Sequence, residues 1–101
     1  MPTASQQQEL ALLHAVVGIL AARAGEADGA VEAYRQATAL EPTNPIYSRN
    51  YALVLSDTLR HDEAIVEAQR MAALLRNQSG SEQSLSEVEY LITLLEQARG
   101  R

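Results

Sequence analysis

The sequence predicts an all-α fold of five helices, two helix–turn–helix pairs followed by a single closing helix. Three observations carry this expectation. Residue types recur 34 positions apart: Asp28, Ala30, Val31, Ala39 and Leu40 return as Asp62, Ala64, Ile65, Ala73 and Leu74. A fixed period of this length is the signature of stacked supersecondary units. Apolar residues also fall at three- and four-residue steps through most of the chain, the spacing of one helix face. Finally, 47% of residues are apolar, yet Phe and Trp are absent and Ala is abundant. That composition suits helices whose backbones approach closely.

The first helix opens at Ser5, with Gln8 three residues on as a capping-box partner. Leu10, Leu13, Val16, Val17 and Leu20 form its stripe, and Leu12 and Ile19 lie off it, so the helix is apolar on more than one side. A helix of that kind belongs inside a stack. Gly25 supplies a left-handed cap. The second helix runs from Ala27 to Leu40, with Glu26 and Asp28 placed favourably at its positive end. Ala30, Val31, Tyr34, Ala37 and Leu40 are its buried stripe, and Pro42 ends it by disfavouring helix at Glu41.

Asn44 followed by Pro45 restarts the chain as a capping side chain with Pro at the first helical position. The third helix, Pro45 to about Leu59, carries Ile46, Tyr47, Tyr51, Val54 and Leu55. The fourth, about Asp62 to Arg76, carries Ala64, Ile65, Ala68, Met71, Ala72 and Leu75. Residues 77–83 are polar and contain Gly and Ser, the one linker in the chain. After it the period slips by about six residues, which places Val88, Leu91, Ile92 and Leu95 at the apolar positions of a first repeat helix. Ser84 with Glu87 is the expected capping box of this fifth helix, Leu85 to about Ala98.

These residues resemble the tetratricopeptide repeat (TPR) family. Its pattern of small, aromatic and closing residues is matched by Gly18, Ala30, Tyr34, Ala37 and Pro42 in the first repeat. His14 and Ala21 depart from it. The second repeat matches less well, at Ser48, Tyr51, Ala52, Leu55, Ala64, Ala68, Met71 and Arg76. The resemblance implies a right-handed α-solenoid in one domain, 1–101. Repeat one would span 6–42, repeat two 43–76, the linker 77–83 and a capping helix 84–101. It also implies that Gly18 and Ala52 pack against Ala30 and Ala64.

The resemblance further implies a concave groove that binds a peptide or helix of another protein. Carried over by register, its lining is Leu12, Ala15, Ile19, Ala22 and Arg23, then Ile46, Arg49, Leu53, Ser56 and Asp57. Asn50 matches one position of the carboxylate clamp of chaperone-binding relatives. Ala15 and Ile19 stand where that clamp needs Lys and Asn, so a chaperone-tail clamp is not expected. Arg49, beside Asn50, is the side chain expected to set the direction of a bound segment. The expected function is a non-catalytic TPR adaptor or scaffold. The alternative is a structural self-association module whose groove or open end is a homo-oligomer interface.

Composition narrows the other classes. The net charge is −5, and the eight basic residues are all Arg and scattered, which argues against a nucleic-acid partner. There is no Cys, so disulfides and thiolate metal sites are excluded. The stretch before Leu10 carries no Lys or Arg and makes a poor signal-peptide start. The apolar run Leu10–Ala22, about 13 residues, is too short to span a bilayer. A cytoplasmic protein without cofactor, metal or membrane partner is expected. His14 reads as a packing residue and His61 as a turn residue. The acidic pairs Asp62/Glu63 and Glu87/Glu89 sit in first helical turns, where carboxylates favour the helix dipole. No HExxH, GxSxG or Gly-rich phosphate loop is present.

Overall fold

A computed structural model describes residues 3–78 and 80–100. Met1, Pro2, Ser79 of the expected linker and Arg101 lie outside the described residues. Five helices follow one another: α1 (Ala4–Arg23), α2 (Ala27–Leu40), α3 (Pro45–Asp57), α4 (His61–Arg76) and α5 (Glu82–Arg99). Among the described residues there is no strand, and no helix is long and apolar enough to cross a membrane. The substantial interfaces join helices adjacent in the chain: α1 with α2, α2 with α3, α3 with α4, and α4 with α5. The body measures 42 × 36 × 20 Å, so its thin dimension is about two helix diameters.

The two helical pairs turn in the same way. Glu26 N–H donates to Ala21 O and Gly25 N–H to Ala22 O, the two bonds of a Schellman cap, with Gly25 at φ +77°. Thirty-four residues later, Arg60 N–H donates to Leu55 O and Leu59 N–H to Ser56 O. Leu59 therefore takes the glycine's place, at φ +61°, where an L side chain is strained. This cap ends α3 at Asp57, two residues before the expected Leu59.

The helix starts hold two corrections. Thr3, not Ser5, caps α1, in a reciprocal box with Gln6. Ser81, not Ser84, precedes α5, so Ser84 lies inside the first turn and caps nothing. The Ser81 hydroxyl instead bonds the carbonyls of Leu75 and Gln78, tying the loop to the end of α4. Asn44 caps α3 as expected, its Oδ1 accepting from Ile46 N at 3.0 Å.

One core runs through all five helices, from Ala15 in α1 to Leu95 in α5. The expected α4 stripe is buried at all six positions. In α1 the expectation is reversed. Leu10, Leu13, Val16, Val17 and Leu20 are exposed, and the buried edge is Ala11, Ala15 and Gly18. The reason is steric. Only small side chains admit α2 at close range, and within the described chain no second helix covers the large-residue face. The nearest neighbour of Gly18 across the α1–α2 contact is the ring of Tyr34, closer than Ala30: a Cβ built on Gly18 would lie 2.8 Å from Tyr34 Cε2. In the second pair these two positions, 34 residues on, are Ala52 and Ala68, both fully buried. Bulk lost from the tyrosine position is partly regained at the glycine position.

Candidate functional site

A concavity lies between α3 and α5 with α4 as its floor. It holds about 540 Å³, within the roughly 300–1,000 Å³ of ligand-sized clefts. Pro45, Ile46, Arg49 and Leu53 form the α3 wall, Met71 and Leu75 the floor, and Ser84, Glu87, Val88 and Leu91 the α5 wall. These positions follow from local structure. The Asn44 cap and Pro45 fix where α3 begins, so Ile46, Arg49 and Leu53, three and four residues apart, share one face. Ser81, pinned to α4, sets where α5 starts, and Val88 and Leu95 anchor it on the core.

The cleft is apolar, with one charge of each sign. Met71, Leu75 and Val88 are buried, whereas Ile46 and Leu53 remain 63% and 38% exposed. Arg49 and Glu87 stand on opposite walls, and neither forms an ion pair among the described residues. No metal-holding group of three His, Cys, Asp or Glu side chains occurs among the described residues.

Of the residues expected in the groove, Ile46, Arg49 and Leu53 line this cleft. Leu12, Ile19 and Arg23 of α1 are exposed but outside it, and Asp57 is exposed beyond its far end. Ala15 is a correction: it is 5% exposed and part of the core, because α1 turns its small face to α2. Asn50 is half-buried and sits by the Tyr34 phenol. Burial pushes that phenol above its ordinary value, and the Asn50 side chain opposes the shift. Asn50 is thereby engaged in packing α3 on α2. The α5 wall was not expected as part of the site; the shifted register that aligned Val88 and Leu91 with a first repeat helix was the signal for it.

Sequence reasoning also missed the polar staple behind the cleft. Arg70 on α4 donates to Pro42 O at 2.6 Å, to Ser48 Oγ at 2.9 Å and to both Glu67 oxygens. It fastens the α2–α3 loop, the fully buried Ser48 and its own helix. Two surface pairs join the start of one helix to a later element, with their aspartates 34 residues apart and their arginines 39 apart: Asp28 with Arg60 at 3.1 Å and Asp62 with Arg99 at 3.2 Å. Arg35 donates to the Tyr51 hydroxyl at 3.3 Å, linking α2 to α3. That bond raises the Arg35 pKa further. Glu32 is held below the ordinary carboxylate value by hydrogen bonds from Gln36 and then by Arg35.

Comparison with family models, with curated proteins and with solved structures finds no match.

Proposed function

We propose that the chain is a TPR-type domain of two repeats and a capping helix, acting in the cytoplasm as a non-catalytic module that binds another protein. The α3–α5 cleft is its binding site. An extended segment or amphipathic helix of the partner lays apolar side chains along Ile46, Leu53, Val88 and Leu91, as helix-in-groove recognition does. Arg49 and Glu87, one on each rim, fix the direction of the bound segment through a carboxylate on one side and a cation on the other.

The observation that carries this reading is the pair Ile46 and Leu53. Both are large aliphatics left open on the wall of a preformed cleft whose buried part is Met71, Leu75 and Val88. Apolar surface gathered in this way on a folded chain marks an interaction site more often than scattered exposed leucines do. The 34-residue recurrence of the cap and of the small-residue positions supports the repeat assignment.

A random peptide library displayed on phage and selected against the chain tests the reading. Selected peptides should share spaced apolar residues, and Leu53→Glu should abolish their binding while leaving helicity and melting temperature unchanged. Peptides that bind Leu53→Glu as tightly as the parent would remove the cleft as the site.

A further inference from the structure

A second surface, independent of the cleft, is the outer face of α1. Seven large aliphatics between Leu10 and Leu20 are each 39–62% exposed. Together they present on the order of 600 Å² of apolar surface, the top of the range for a monomer's largest patch. That is most of the roughly 800 Å² each partner buries in a standard-size interface. We infer that this face is a self-association surface, and that its occupant is α1 of a second copy, packed antiparallel across a two-fold axis.

The spacing of the exposed residues selects this occupant. Leu10, Leu13, Val17 and Leu20 are separated by three, four and three residues, the seam spacing of paired helices. The seam reads the same from both ends about Ala15. An antiparallel copy therefore sets Leu10 against Leu20 of the second copy, and Leu13 against its Val17. Such self-complementarity is what a two-fold interface requires.

Charge agrees with the same register. Glu9 and Arg23 are the only formally charged residues of α1, and neither forms an ion pair among the described residues. At about 100° per residue they lie on one flank of the seam, about 40° apart around the helix. Antiparallel pairing brings like flanks together. Glu9 of one copy then falls two residues, about 3 Å along the axis, from Arg23 of the other, twice by symmetry. A parallel copy would set this flank against the opposite flank of its partner, leaving both Glu9 and Arg23 without an opposite charge across the seam.

Sedimentation equilibrium of the full chain over a concentration series reads the outcome. The parent should sediment as a dimer. Leu13→Glu/Leu20→Glu, at positions open to water in the single chain, should sediment as a monomer with unchanged helicity. Glu9→Arg and Arg23→Glu should each weaken the dimer several-fold, and the two together should restore it. A parent that stays monomeric throughout overturns the proposal and leaves the face to a different occupant. A dimer that survives Leu13→Glu/Leu20→Glu overturns it in favour of another interface. Charge variants that do not rescue one another refute the antiparallel register. The Leu53→Glu cleft variant should dimerise like the parent, so failure here is separable from failure of the cleft.

Discussion

Gly18→Ala should destabilise the fold, against the usual effect of removing a helical glycine. Gly18 lies in the middle of α1, where Ala is favoured by about 1 kcal/mol. The new methyl carbon, however, would sit 2.8 Å from Tyr34 Cε2 and 3.0 Å from Cδ2. Tyr34 is only 4% exposed, so its ring cannot swing into water to make room. Overpacking of this kind costs about 1–3 kcal/mol, and the net loss should be about 1 kcal/mol. The decisive assay is a four-protein cycle with Tyr34→Ala, in which the double variant copies the Ala52 and Ala68 of the second pair. Tyr34→Ala alone should cost about 3–5 kcal/mol, so all four proteins are unfolded in urea with a stabilising osmolyte present. Without the ring, Gly18→Ala should change sign and stabilise by about 1 kcal/mol. A Gly18→Ala chain at least as stable as the parent, or no sign change in the cycle, would refute the ring-over-glycine contact.

Three further outcomes follow from the geometry. Leu59→Gly should stabilise by about 0.5–1 kcal/mol, because left-handed backbone costs an L residue about 1–2 kcal/mol and glycine gives back part of that as unfolded-state entropy; a thermal melt raised by a few degrees checks it. Arg70→Ala should cost about 2 kcal/mol in urea unfolding, since it strips the buried Ser48 hydroxyl and the Pro42 carbonyl of a charged donor. The raised Tyr34 pKa means that the folded state holds the phenolic proton more tightly than the unfolded state. Its contribution is therefore complete below the ordinary value of 10.0 and is lost as pH rises beyond it. Unfolding measured at a series of alkaline pH values should show a shallower decline for Tyr34→Phe than for the parent.

The sequence was most informative where one helix face is apolar and the other polar. In α4, Ala64, Ile65, Ala68, Met71, Ala72 and Leu75 are the expected stripe and the observed one, because Asp62, Glu63, Gln69 and Arg70 mark the other side, where Val66 is the one large aliphatic left exposed. In α1 both faces are apolar, and periodicity has no means of choosing between them. Large residues were expected inward, but the close approach of Tyr34 to Gly18 reserves that side for Ala11 and Ala15. Turn chemistry was legible through Gly25 and invisible through Leu59, which adopts the same cap without the residue that advertises it. Ser84 and Glu87 have capping-box spacing, yet Ser81 three residues earlier is held by the end of α4. The Arg70 staple joins residues 22 and 28 positions apart, and no local pattern encodes such a contact. Register carried Ile46, Arg49 and Leu53 to the cleft. It did not anticipate that α5, rather than α1, would form the facing wall.

The most direct test of the cleft as a binding site is a titration with a library-selected peptide, followed by NMR on isotope-labelled methyl groups. Ile46, Leu53, Val88 and Leu91 should shift progressively and saturate together. Leu13, Val17 and Leu20 on the outer face of α1 should stay in place. Shifts confined to α1, with the four cleft methyls unmoved at saturation, would contradict the account.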